Sequence, residues 1–347
     1  MSKHRITRRN FVGSSLVASG LLLSACSKPA TETTSSKAAP ATEKIFDTHA
    51  HLISGDRVRY PVNPLDGEPV NESYFKEPIT AERYVALMQQ FGVTRACAVQ
   101  RAHIYGYDNS YILDSAVAYP QQLAPVVVVD AQDAKTPDTI AQWRKDKRLA
   151  GIRLAGAKPE DTNLGWFTSD AALKTWAAAD QLQLPVCIIF FATQLDACLP
   201  ALKTIAQRFP NLPIVIDHIG VPHGANYEVG WAKQQRGIDL VAPGAPDFGV
   251  GDKLLALRET ANINFKLTTI NFDRLKDAGL DYAAFTRHIV DVFGAERLMW
   301  GSDIGQSLSG YAENIASLKA AVASLNATER AAVMYGTAAR VYAEKSA

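Results

Sequence analysis

Neither sign of charge dominates this chain of 347 residues, in which 36 Lys and Arg face 35 Asp and Glu for a formal net charge of +1. With no positive excess to answer phosphate, a nucleic acid is not expected as its main partner. Cysteine is scarce, at four residues. Beyond Cys26, the remaining Cys97, Cys187 and Cys198 are odd in number and give no disulfide framework. Cys97 and Cys187 lie in apolar, strand-like runs and are expected as small core residues. A Cys187–Cys198 bridge is not expected. No apolar stretch after residue 26 is long enough to span a bilayer. No glycine-rich phosphate loop follows the first strand candidate, which argues against a dinucleotide-binding sheet.

What is present begins with an address. Met1 to Arg9 is basic, Phe11 to Ala25 is apolar with small residues, and Cys26 follows at once. That order is expected of an export signal over residues 1–25. Thr7-Arg8-Arg9-Asn10-Phe11-Val12 resembles a twin-arginine motif, and Leu23-Ser24-Ala25-Cys26 resembles a bacterial lipobox. A lipid anchor on Cys26 and a place on the periplasmic side of a bacterial membrane are therefore expected. Residues 26–43 are rich in Ser, Thr, Ala, Pro and Lys and predict a flexible tether.

From residue 44 to the end, strand-length apolar runs alternate with segments of helical period. The strand candidates are 44–49, 94–100, 123–129, 150–155, 185–191, 213–218, 263–269 and 297–302. Helices are expected at 81–91, 110–118, 137–147, 170–181, 194–209, 252–260, 281–293, 312–324 and 327–342. Several runs, such as Ala124–Val129, are apolar at nearly every position, as strands buried on both faces must be. Eight alternating units predict an α/β fold of the (β/α)8 TIM-barrel type. Two long loops, 53–79 and 219–249, follow strand C-terminal ends, where such barrels carry their chemistry, and are expected to cover substrate. The second contains Trp231.

The chemistry gathers at those strand ends. Asp47-Thr48-His49-Ala50-His51 closes the first strand, and residues two apart share a face, so His49 and His51 point together. Met299-Trp300-Gly301-Ser302-Asp303 closes the eighth, which barrel closure sets beside the first. Asp303 can ligate a metal or take a proton from water. Strand 6 ends in Asp217-His218; His218 is expected at the mouth and Asp217, alternating with it, to point away. Arg101, Arg153 and Lys266 are cations from three strands, a set suited to an anionic or hydroxyl-rich small molecule. Lys266 and Thr268 share a face. Trp300 and Tyr107 are apolar walls or core. His103 is ambiguous, His223 lies in the loop, and His288 sits in a helix away from the site.

DTHAHL at 47–52, VIDHIG at 215–220 and WGSD at 300–303 together resemble the amidohydrolase-related family of metal-dependent-hydrolase-like barrels. VQRAHIYGYDNSY at 99–111, GIRL at 151–154 and RFPNLP at 208–213 are similar to its branch of dicarboxylic lactone hydrolases and sugar lactonases. The resemblance implies His49, His51, His218 and Asp303 as site residues, with His49, His51 and Asp303 as ligands if a metal is bound. Zinc-dependent decarboxylases of the family end strand 5 in a ligating His. Strand 5 here reads Pro185-Val186-Cys187-Ile188-Ile189-Phe190-Phe191 and has none. The resemblance thus implies a lactonase that needs no cofactor or a single divalent metal, zinc foremost. A zinc-dependent decarboxylase of an unsaturated acid and a non-catalytic binder of a small acid or sugar stand as rivals.

Overall fold

The computed structural model describes residues 43–156, 163–190, 194–220, 244, 247–307 and 309–343. The expected signal peptide, most of the tether, Cys26, His223 and Trp231 fall outside the described residues, as does most of the second long loop.

Eight parallel strands pair in sequence order: β1 (Ile45–Ala50), β2 (Val93–Val99), β3 (Leu123–Val128), β4 (Gly151–Ala155), β5 (Val186–Ile189), β6 (Ile214–Ile216), β7 (Ile263–Thr268) and β8 (Leu298–Gly301). The seam between β8 and β1 closes through His51 N–H to Ile304 O at 2.9 Å and Asp303 N–H to His49 O at 2.7 Å. The fold is a (β/α)8 barrel, as the alternation predicts.

The outer helices are α1 (Ala81–Phe91), α2 (Ser110–Ala118), α3 (Thr136–Asp146), α4 (Asp170–Gln181), α5 (Leu195–Arg208), α6 (Thr269–Asp277), α7 (Tyr282–Phe293) and α8 (Tyr311–Ala321). Their starts follow from local chemistry. Thr80, Ser169 and Asp281 each turn a side-chain oxygen onto a first-turn N–H, of Arg83, Ala172 and Ala284 respectively. Three expectations change. The segment expected at 252–260 holds one helical turn, Asp252–Leu255. The last helix is interrupted by a π segment at Ala332–Gly336. α6 is an addition: it begins directly after β7, where Thr268 and Asn271 form a capping box.

Two apolar layers result. The outer strand faces pack on the helices. Inside, Phe46, Cys97, Val99, Val126, Cys187, Val215 and Met299 fill the lower barrel, and Ala338, Val341 and Tyr342 of the C-terminal segment close it. Cys97, Cys187 and Cys198 are buried free thiols. Trp300 is core rather than wall, being fully buried. Among the described residues no helix is long and apolar enough to cross a membrane.

Candidate active site

A bulge in β1 places the first two histidines. Asp47 pairs with Ala96 and Ala50 with Ala98, so three steps on β1 match two on β2. Phe46 therefore joins the apolar interior while His49, three residues on, also faces inward. Asp47 points the other way and fixes the bulge. Its Oδ1 accepts from Ser302 N at 2.8 Å and His49 N at 3.1 Å. Its Oδ2 accepts from the Tyr84 and Tyr311 hydroxyls at 2.7 and 3.1 Å. This carboxylate ties the end of β8 to the end of β1, a role with no short-range signal in the sequence. Gly301 allows the contact: a Cβ there would stand 2.6 Å from His49 Cβ. Gly305 has φ +87° and abuts the His51 carbonyl.

The resulting cluster is compact. His49 Nε2 and His51 Nε2 lie 3.3 Å apart. Asp303 Oδ1 is 3.6 Å from the first and 3.4 Å from the second. Asp303 has no solvent exposure, φ of +52°, and neither carboxylate oxygen has a hydrogen-bond partner. Burial pushes its pKa up to about 8, against the pull of the Arg101 and Arg153 charges. Burial likewise lowers His49 to about 3 and holds His51 and His218 well below the usual imidazole value. All three rings are neutral at pH 7.

His218 reaches the cluster, its ring 4.9 Å from that of His49. The route differs from the expected one. β6 ends at Ile216, and the backbone then turns, with His218 at φ 56° and Ile219 at φ 48°. Strict alternation therefore stops before Asp217, and Asp217 does not point away: it enters the barrel. It lies 2.7 Å from Arg153 Nε, 3.0 Å from Lys266 Nζ and 3.5 Å from His49 Nδ1. Lys266 and Arg153 hold its carboxyl well below the usual range despite burial. The expectation of three cations offered to a ligand is corrected accordingly. Lys266 is wholly buried beneath His49, and its charge is answered by Asp217. Arg153 shares the same carboxylate. Arg101 stays closer to the expected role. It stacks on Tyr74 of the first long loop at 4.1 Å, bonds the Gly305 carbonyl, and leaves a buried Nε without a partner.

Hydrogen-bond partners settle the ring protons. A carbonyl can only accept, so His51 Nδ1 donates to Val99 O at 2.9 Å and presents a bare Nε2. Thr268 Oγ1 donates to Asn271 Oδ1 at 3.3 Å and so accepts from His218 Nδ1 at 2.6 Å. Asn271 also bonds the His218 carbonyl at 2.7 Å, holding the turn. The remaining candidates lie apart. His103 pairs with Asp66 at the surface. His288 packs on Phe248. Tyr107 is partly exposed.

His49, His51 and Asp303 could hold a metal ion, since one ligand atom from each falls within 4.8 Å of the others. His51 and Asp303 present bare acceptors for one. His49 is less suited, because the Lys266 ammonium stands 3.2 Å behind its Nδ1.

Comparison with known proteins shows the family and the fold. The amidohydrolase family profile matches residues 46–343. The L-fucono-1,5-lactonase of Burkholderia ambifaria is 28% identical over 218 residues, 62% of this chain and 67% of that protein. A probable 2-pyrone-4,6-dicarboxylic acid hydrolase from Acinetobacter baumannii, solved with citric acid, superposes with a TM-score of 0.62 at 18% identity, covering 86% of this chain and 98% of that one. An amidohydrolase from Burkholderia multivorans, solved with zinc, gives 0.61 at 23% identity, covering 86% and 99%. Decarboxylases of aromatic acids share the fold as well.

Proposed function

The chain belongs to the amidohydrolase family, and on that premise we propose that it opens a sugar lactone or a related cyclic ester by adding water across the ring ester bond. One observation carries the reading: Asp303 is fully buried at the barrel mouth, beside two neutral histidines, with both oxygens unpartnered. A carboxylate serving structure alone would have its hydrogen bonds filled. The similarity to an L-fucono-1,5-lactonase points the chemistry towards lactones.

Asp303 takes a proton from water as the water oxygen adds to the ester carbon. Its raised pKa makes the ionised form a stronger base than an exposed aspartate. The carbonyl oxygen gains negative charge and is met by the N–H of His49 and by the Arg101 guanidinium. Donors fixed before the reaction contribute about 3 kcal/mol each to such a step. The intermediate then collapses, the ring C–O bond breaks, and Asp303 returns the proton to the leaving oxygen. The product is the open hydroxy acid. His218, with its Nδ1 proton spent on Thr268, offers its other nitrogen as an acceptor for a substrate hydroxyl. No step requires a decarboxylase's histidine on β5, where Val186–Ile189 is apolar.

The test is a panel of aldonolactones and pyrone dicarboxylate lactones, followed by proton release from neutral pH up through about 8, where Asp303 ionises. Catalysed opening of at least one lactone is expected. Tight binding of a panel member without turnover would favour the binding-protein reading instead. The twin-arginine and lipobox resemblances further support an exported, Cys26-anchored protein.

A further inference from the structure

We propose that Lys266 is a positioning residue that fixes the proton of His49 on Nε2, making this histidine a hydrogen-bond donor to the substrate carbonyl and setting it against coordination of a divalent metal. The inference extends the lactonase reading by assigning a buried lysine which that mechanism leaves unused. Its own evidence is the proton arrangement, whatever the substrate.

Lys266 comes from the middle of β7 and has no solvent exposure. A buried ammonium needs a counter-charge, and Asp217 supplies it at 3.0 Å. The ammonium carries three protons and no lone pair. Two of its contacts have hydrogen-bond geometry: His49 Nδ1 at 3.2 Å and Cys187 Sγ at 3.7 Å. In the first, the lysine can only donate. Nδ1 must then be the bare nitrogen, and in a neutral imidazole the ring proton is left on Nε2. The other tautomer would aim Nδ1–H at Asp217 Oδ1. That oxygen is 3.5 Å away, beyond ordinary hydrogen-bond length, and is met more closely by the Lys266 ammonium at 3.0 Å.

The rest of the cluster fits the same arrangement. His49 Nε2–H faces the bare Nε2 of His51 at 3.3 Å, a long contact that the substrate carbonyl oxygen would replace as acceptor. His51 spends its own proton on the Val99 carbonyl. Every proton in the series Lys266, His49, His51, Val99 points one way, with no donor facing donor and no acceptor facing acceptor. Reversing His49 would put two bare Nε2 atoms against each other and an N–H against an ammonium.

A metal bound through Nε2 needs a lone pair there, so the proton would have to move to Nδ1, straight towards the Lys266 ammonium. His51 already presents a bare Nε2, and Asp303 two oxygens without hydrogen-bond partners. Lys266 thus acts against one of three ligands in a set that otherwise converges within 4.8 Å.

The wild-type protein can be tested directly, stripped of metal and labelled with 15N at histidine. Long-range 1H–15N correlation at neutral pH is expected to show His49 protonated at Nε2 and bare at Nδ1, the signal being assigned by its loss in His49→Gln. The opposite tautomer would overturn the proposal. Zinc titration by calorimetry provides a second arm. Lys266→Met keeps the length and removes the ammonium, and is expected to bind zinc at least tenfold more tightly than wild type. Equal affinity in a folded variant would overturn the role against metal. Should Lys266→Met fail to fold, the tautomer in wild type decides. Neither readout uses a lactone, so failure here and failure of the lactonase reading are distinguishable.

Discussion

The two sides of the β1–β8 seam each bury an aspartate, and the two differ in what answers the charge. Asp47, on the outer side, accepts four hydrogen bonds, from two backbone amides and two tyrosines. Asp303, on the inner side, accepts none. Burial raises both carboxyls; in Asp47 hydrogen bonds from Ser302, Tyr84 and His49 oppose the shift, and in Asp303 the charges of Arg101 and Arg153 do. An unsatisfied buried carboxylate costs stability, so its persistence needs a reason outside the fold. The filled carboxylate aligns the seam, and the unfilled one is the group that the proposed reaction assigns to water and substrate.

Replacing the unfilled carboxylate gives the largest expected effect. Asp303→Asn should lower kcat for lactone opening by about a thousandfold, in the range for loss of a positioned general base, with the fold intact. Retention of near-normal turnover would exclude Asp303 as the base. The same variant isolates a pH effect in chelator-treated protein. A pKa raised to about 8 in the fold means that the bound proton stabilises the folded state. That contribution is complete below the unfolded value near 4 and is lost as pH rises through about 8. Wild type minus Asp303→Asn should therefore lose stability across that window, and a flat difference would count against it.

Asp47→Ala comes next. It strips four donors of their acceptor in a dry seam and should cost about 3 kcal/mol of stability. It should also lower activity at least tenfold, because His49 and the backbone of Ser302 lose their common anchor. Denaturant unfolding and kcat measured on one preparation would check both. A variant as stable and active as wild type would remove Asp47 from the account.

The sequence made the barrel legible and half of this contrast. Strands buried on both faces give unbroken apolar runs, and all eight lie within a few residues of their expected places. His49, His51 and Asp303 were legible because each ends such a run. Period-two alternation points Asp217 outward, but the strand stops at Ile216 and the chain enters left-handed backbone at His218 and Ile219, which turns Asp217 inward. No residue type there announces such a turn; neither position is a glycine. Helix α6 has no clear apolar period, because Thr269–Asp277 is largely polar and follows β7 with no intervening loop. Asp47's partners Tyr84 and Tyr311 lie 37 and 264 positions away, beyond any local pattern. Lys266 was legible as a cation but not as a buried one, since its neighbours on β7 are those of any inward-facing strand residue.

The smallest effect separates alignment from chemistry. Tyr84→Phe removes one hydrogen bond of 2.7 Å from Asp47 Oδ2 and leaves the Tyr311 bond at 3.1 Å in place. A single hydrogen bond to a buried carboxylate predicts a loss of about 1–2 kcal/mol. The pH–rate profile should keep its shape, because the substitution leaves the Asp47 charge that acts on Asp303 in place and Asp47 exchanges no proton with the site. A shifted limb in that profile would join the two aspartates into one titrating system. An unshifted limb with lowered stability would keep the outer carboxylate as the frame and the inner one as the reagent.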